Sequence, residues 1–252
     1  MKVLITIIVF ILLSSAASTT GRIRWSTHCS SRRYNHDIST RGTHTPLFGG
    51  LNPWEFHQVS GVSLKHALAL IDHANEQDTN MMEDNNIKVP KELLYSQRLY
   101  HQVLKLNTEA SETLRLAARG QHIQRWKIPR DSYPMTKAGY LEWRAQLKTF
   151  HANTIGRILE EVGYNSDTIE GVKSLVLKKN PKDPDAQTLE DALCLVFLQW
   201  QLDDFIEKFG DAKTINALRK SWGKMSEAGR AEALKLTLSE RASELVGKAL
   251  SA

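Results

Sequence analysis

Between Thr136 and Gly163 the apolar residues Tyr140, Trp143, Leu147, Phe150, Ile155, Ile158 and Val162 recur every three or four positions. That period is the helical one and predicts a single long helix. Thr136 supplies an N-cap hydroxyl at its start, and Gly163 suits the left-handed backbone that ends a helix. A helix of this length with one apolar stripe has to bury the stripe, and helical partners are at hand in the rest of the chain.

Ser60 to Gln77 carries Val62, Leu64, Leu68, Ile71 and Ala74 on helical spacing. Pro90 suits a first helical turn ahead of Leu93, Leu94, Leu99, Val103 and Leu106. A third helix is expected from near Thr108, with Ala110, Leu114, Ala117 and Gln121 on one side. Pro129 and Pro134 break it in the loop Lys127 to Met135. Ser166 to Val176 reads as a shorter helix, and Lys178 to Gln187, with Pro181 and Pro184, as an exposed loop. Thr188 is expected to open the most buried helix, because Ala192 to Leu198 is apolar on all sides. Two or three helices complete the chain, and no segment alternates as a strand would. The fold class is therefore all-α: one helical domain of about eight to ten helices over residues 55–252.

The first 54 residues read differently. Residues 1–17 place Lys2 before an apolar run from Val3 to Leu13 and the small residues Ser15, Ala16 and Ala17, which is the order of a secretory signal peptide. The run is too short for a bilayer, which takes about 20 residues. No membrane association is expected once it is cleaved. Residues 18–54 are rich in Ser, Thr and Arg and nearly free of acids, as transit peptides are. Together they predict an organelle reached by the secretory route, a plastid first, with the mitochondrion or secretion as alternatives. The same tail explains the net charge of +5: six basic residues up to Pro53 stand against Asp37 alone, so the rest of the chain is balanced. The pI near 9.1 is thus no argument for a nucleic-acid-binding body. Cys194 is the body's one cysteine and lies in an apolar stretch, which favours a reducing compartment over disulfide chemistry.

Against that neutral background, Leu114 to Tyr164 concentrates two histidines, six arginines and two tryptophans around one Pro-bounded loop. His122 follows Ala118 by four and His151 follows Leu147 by four, placing each at the edge of an apolar face. Two helices joined by a short loop are expected to pack as antiparallel neighbours, so the imidazoles either share a ligand or metal, or each bonds locally at a core boundary. Arg115, Arg119, Arg125, Arg130 and Arg144 surround the same loop with Lys127. Guanidinium forks match phosphate and carboxylate oxygens, the alternative being surface pairing with Glu109, Glu112, Asp131 and Glu142. Trp126 and Tyr133 either stack on a ligand or clamp the loop. Glu190 and Asp191 read as second- and third-position acids behind a Thr188 N-cap, with metal binding as the other reading.

The strings LYSQR, LRLAARGQHIQRW, IPRDSYP, GYLEWR, QTLEDALCLVFL and WGKMS occur in this order. They are identified as those of the domain of unknown function 4202 family, over about residues 62–250. Members of that family are often labelled glutamyl-tRNA synthetase. No HIGH-type motif and no alternating strand–helix nucleotide-binding unit accompanies the label here, and Lys224-Met225-Ser226 matches the synthetase lysine loop over a tripeptide only. Synthetase activity is therefore not expected.

The order of elements also resembles the all-helical HD superfamily of metal-dependent phosphohydrolases. The corresponding positions are Tyr95 with Arg98, Gln121-His122, His151 and Asp191, where Tyr95 and Gln121 depart from the usual metal ligands. The resemblance implies one of two outcomes: His122, His151 and Asp191 form the catalytic set and retain one divalent metal ion, or the scaffold has lost the metal and kept an anion-binding pocket. That metal would activate a water against a phosphate held by Arg115, Arg119, Arg125, Arg130 and Arg144, with Trp126 and Tyr133 beside it. The expected function is binding of a phosphorylated or otherwise anionic small molecule in a His/Arg-rich pocket, with hydrolysis following only where the metal is retained. The alternatives are an RNA- or tRNA-associated protein using Arg115, Arg119, Arg125 and Trp126 as its platform, and a non-catalytic interaction domain.

Overall fold

Helix starts in this chain are written by short polar side chains, and most of the architecture follows from where they fall. A computed structural model describes residues 60–251, with side chains from Leu64 onward. The targeting segments predicted for residues 1–17 and 18–54 lie outside the described residues. The elements are α1 Ser60–Glu76, strands β1 Met81–Asp84 and β2 Ile87–Pro90, α2 Lys91–Leu106, α3 Glu112–Gly120, α4 Lys137–Val162, α5 Ser166–Leu177, α6 Pro184–Trp200, α7 Leu202–Lys224, α8 Glu227–Ala233 and α9 Glu240–Leu250. The described part is all-α apart from one hairpin, and none of its helices is long and apolar enough to cross a membrane.

Ser111, Thr136, Asn165, Asp183, Ser226 and Ser239 each accept a hydrogen bond from a backbone N–H in the first turn of α3, α4, α5, α6, α8 and α9. Each satisfies one of the donors a helix start leaves unpaired. The long helix α4 begins at the Thr136 cap and ends at Gly163 in the left-handed conformation (φ 92°), as its spacing predicts. Three boundaries differ from expectation. The third helix starts at Ser111 rather than Thr108, and it ends at Gly120, before His122. The segment read as a loop up to Gln187 is half helix: Asp183 caps α6 and Pro184 takes its first position, where a missing N–H costs nothing. Thr188 is therefore an interior residue whose hydroxyl donates to the Pro184 carbonyl at 3.0 Å.

The antiparallel hairpin was not visible as an alternating pattern because each strand has four residues. Its turn residues Asn85 and Asn86 both have positive φ (51° and 65°), the geometry of a tight hairpin turn, and asparagine tolerates it best after glycine. The hairpin is tied to α2 by Arg98, which donates to Asp84 at 2.9 Å.

Two apolar cores meet on α6. Leu189, Ala192 and Val196 face a core built from α1 through α5, while Cys194, Leu195, Phe197 and Leu198 face a second core with α7, α8 and α9. A helix wedged between two cores has no solvent face over that stretch, which is why its sequence is apolar all round. Gly210 (φ 70°, ψ 175°) breaks α7 into two segments that wrap the second core. α5 lies against both α3 and α4, and α3 touches α4 where Gly120 abuts Ile155.

Candidate functional site

Two helices present the same spacing to one cavity. From α4 come Arg144, Leu147, Lys148 and His151, and from α6 come Glu190, Leu193, Cys194 and Phe197, each at relative positions 0, 3, 4 and 7 of a helical face. Between them Tyr95 enters from α2, Gln121, His122 and Arg125 from the turn after α3, and Val176 and Lys178 from the end of α5. Gln201 at the α6–α7 junction and Lys224 at the end of α7 complete the wall of a cavity of about 80 Å³. That is room for several water molecules or a small ligand group.

The turn that carries Gln121, His122 and Arg125 is held by α1. Gln124 adopts the left-handed conformation (φ 52°, ψ 34°), and its N–H donates to the Asn75 side-chain oxygen at 3.0 Å. Asn75 is fully buried. The reversal drives Arg125 inward, 4% exposed, with its guanidinium 5.3 Å from the Trp143 ring centre. Burial lowers the pKa of Arg125, opposed by Glu92. Burial also holds Arg144 down, to about 10, and Lys148 below the ordinary lysine range with Arg144 beside it. Arg125 Nη2 and Arg144 Nη1 are buried donors with no hydrogen-bond partner among the described residues. Such atoms cost about 1–3 kcal/mol each when left unmet.

Glu190 is the cavity's single carboxylate. Lys178 donates to one of its oxygens and Lys224 to the other at 3.0 Å. Burial alone would raise this carboxyl, but Lys178 and Lys224 together bring it down to about 2. Lys178 itself caps α5 with a positive φ of 58°. The lining thus carries five cationic side chains, Arg125, Arg144, Lys148, Lys178 and Lys224, against one carboxylate. Both histidines are neutral. Burial, then Arg125, lowers the His122 pKa well below the usual imidazole range, and the same two effects bring His151 to about 3.

The geometry assigns the tautomer of His151. Its Nδ1 lies 2.7 Å from the Ile123 carbonyl oxygen, which can only accept, so Nδ1 carries the proton. Nε2 is then a bare acceptor, and it has no partner among the described residues. His122 lies flat on Tyr95, with ring centres 4.4 Å apart and planes 13° apart, and 5.8 Å from the His151 ring. Its Nδ1 is 3.9 Å from Glu92 Oε2. Glu92 is 6% exposed and borders a smaller adjoining cavity that shares Tyr95, His122, Arg125 and Gln201 with the first. Burial raises its carboxyl to about 7, against the pull of Arg125 and Lys91.

The sequence-predicted residues divide into two groups. His122, His151, Arg125 and Arg144 converge on the cavity. His122 reaches it from the turn rather than from α3, because that helix has already ended. The others have different surroundings. Arg119 makes a two-pronged pair with Asp72, both bonds at 2.6 Å, and faces Tyr100. Arg115 reaches the Thr108 carbonyl at 3.4 Å. Arg130 binds the carbonyls of Tyr133, Pro134 and Thr136 and so shapes the loop. Tyr133 packs on the cluster of Tyr140, Trp143 and Leu147. Trp126 is half-buried and does not line the cavity.

Asp191 does not line the cavity either. One of its oxygens accepts from Ser226 N at 2.9 Å and Gln187 Nε2 at 3.0 Å, and the other from Ser226 Oγ at 2.5 Å. It fastens α6 to the start of α8, which explains Lys224-Met225-Ser226 as helix end, core residue and N-cap. The implied metal set therefore does not fit: Asp191 is spent elsewhere, and no group of three or more His, Cys, Asp or Glu side chains among the described residues is arranged to hold an ion.

The reading of Glu190 as a second-position helix acid is corrected, because α6 starts earlier, at the Asp183 cap. Lys148, Lys178, Lys224 and Glu92 were missed. Lys148 was within reach of pattern, four residues after Arg144 on the His151 face, whereas Lys178 and Lys224 are brought in by separate helix ends. A family model described as domain of unknown function (DUF4202) matches residues 65–246. No curated protein and no solved structure matches the chain.

Proposed function

The chain belongs to the domain of unknown function 4202 family, and from that premise we propose that its cavity binds a phosphorylated small molecule. The observation that carries this reading is the imbalance of five cationic side chains over one carboxylate, itself already held by Lys178 and Lys224. In a partly enclosed cavity such an excess of positive charge is unfavourable without an anion, and the cavity's two unpartnered guanidinium nitrogens, on Arg125 and Arg144, point to the groups that would meet it. Phosphate offers enough acceptor oxygens for Arg125, Arg144 and Lys148 together.

A likeness to the HD phosphohydrolases would add a metal-bound water, and the donor set found here does not supply one. Binding is therefore the proposal, and hydrolysis is its outer edge. An RNA platform is less well supported, since Arg119 is paired with Asp72 and Trp126 lies off the cavity. The organellar destination read from residues 1–54 belongs to the same proposal, and sequencing of the mature N-terminus tests it.

Isothermal titration of the purified protein with inorganic phosphate and with p-nitrophenyl phosphate tests the binding. Saturable binding that Arg144→Gln weakens by about 10–100-fold is expected, and no binding of either probe sinks the reading. Phosphate release that stops on addition of EDTA would bring the metal back. Salt-sensitive RNA binding lost in Arg115→Ala, without phosphate binding, would move the function to the RNA alternative.

A further inference from the structure

The cationic half of the cavity explains an anion, and it leaves another part of the lining unexplained. His151 is 3% exposed and its proton is committed to the Ile123 carbonyl, so Nε2 offers a lone pair to the cavity and nothing else. A fully ionised phosphate offers only acceptor oxygens and cannot satisfy that atom. Gln121, 6% exposed, also lines the cavity, and its side-chain oxygen is a second buried acceptor without a partner. The amide assignment is interchangeable with its nitrogen, so Gln121 follows whatever group arrives, whereas His151 has no such freedom. Apolar walls at Leu147, Val176, Leu193 and Phe197 complete the lining and give room for a short carbon body between the polar ends.

We infer that the ligand carries, beside its phosphate, a hydroxyl or N–H group that donates to His151 Nε2, as a phosphorylated polyol or amino alcohol does. This rests on the reading of the cavity as a phosphate site and narrows it. Arg144 and Lys148 on α4 take the anion, while His151, one to two turns further along the same face, takes the donor. The helix thereby reads two parts of one molecule. A site that buries an acceptor for a substrate hydroxyl discriminates strongly against the analogue lacking it, because the acceptor is then left unmet.

The experiment compares glycerol 3-phosphate with propyl phosphate, which lacks both hydroxyls, by titration calorimetry. Glycerol 3-phosphate is expected to bind about tenfold more tightly, the size of one hydrogen bond to an otherwise unmet buried acceptor. His151→Asn keeps a donor for the Ile123 carbonyl and deletes Nε2. It is expected to bring the two ligands within about twofold of each other. Equal affinities in the unaltered protein overturn the inference and leave the phosphate reading standing. Failure of both esters and of inorganic phosphate to bind overturns the phosphate reading itself. Nitrogen NMR of the unaltered protein supplies a check independent of any variant. The His151 Nε2 signal should move upfield with glycerol 3-phosphate and stay in place with propyl phosphate, and the reverse result counts against the proposal.

Discussion

The His122 ring lies face to face on Tyr95, 4.4 Å between centres with the planes 13° apart. In the resemblance to metal-dependent phosphohydrolases, these positions would both be ligand positions. Here the first is a phenol stacked on the second, and stacking fixes the imidazole as part of a wall. The pair also separates Glu92 from the main cavity, since Tyr95 and His122 line both cavities while Glu92 borders only the smaller one. What the arrangement provides is an aromatic partition between the two cavities, with Arg125 reaching both and Glu92 bordering only the smaller one.

Arg144 is the most exacting test of the anion site. Replacing it with Gln should weaken phosphate binding by about 10–100-fold, the worth of a charge-assisted hydrogen bond. Because burial already holds Arg144 down to about 10, the substitution removes an unfavourable buried charge, and the unliganded protein should not lose thermal stability. Calorimetric titration and thermal melting of the same sample measure both effects.

Glu92 makes stability depend on pH with a sign opposite to the usual carboxylate. Its folded pKa of about 7 exceeds its ordinary value of 4.5, so the native state holds the proton more firmly than the unfolded chain does. Its contribution is fully present below pH 4.5 and is lost as pH rises through about 7. His122 and His151 act the other way, because both are neutral when folded and protonate on unfolding in acid. The difference between the protein and Glu92→Gln isolates the carboxyl. The variant should be more stable by up to about 3 kcal/mol above pH 8, and the gap should close toward pH 4.5. Urea unfolding at several pH values checks it, and a gap that does not change with pH would contradict the burial of that group.

Asp191 is expected to behave as a structural residue. Asp191→Asn would leave the Ser226 N–H and hydroxyl without a charged acceptor and should cost about 1–3 kcal/mol, seen as a lower urea midpoint. Phosphate affinity at temperatures where the variant is folded should be unchanged. Gly229→Ala should act through the same contact, because an added Cβ would stand 2.6 Å from the Asp191 carboxyl carbon.

Cys194 reports on opening of the cavity wall. Burial raises its thiol to about 12, with Glu190 adding to the effect, so the native protein should react negligibly with iodoacetamide at pH 8. Labelling is expected only in denaturant, and a phosphate ligand should slow it further near the unfolding midpoint. Rapid labelling without denaturant, read by mass spectrometry, would mean that the lining opens far more easily than its packing implies.

Much of the fold was legible because its determinants are local. The Tyr140–Val162 spacing, the Thr136 hydroxyl and Gly163 define α4 without reference to any other element. The apolar run of α6 foretold its burial, although the reason, two cores meeting on one helix, lies outside that segment. Boundaries failed where competing caps were available: Ser111 outdid Thr108, and Asp183 with Pro184 outdid Thr188. The hairpin was missed because four-residue strands carry too little alternation to register.

The site divides along the same line. Helical spacing was enough to put His151 at the edge of the α4 apolar face, four residues after Leu147, and composition was enough to show that its cationic setting is exceptional in a balanced body. Which arginines reach the cavity was a question of distant partners. Asp72 on α1 takes Arg119 away, while Asn75 on the same helix holds the turn that sends Arg125 inward. Glu190 became a cavity carboxylate only because the ends of α5 and α7 deliver Lys178 and Lys224 to it. Periodicity and capping act over a few residues and are written in order along the chain. Charge pairing and burial act across it, and they exist only once the helices have packed.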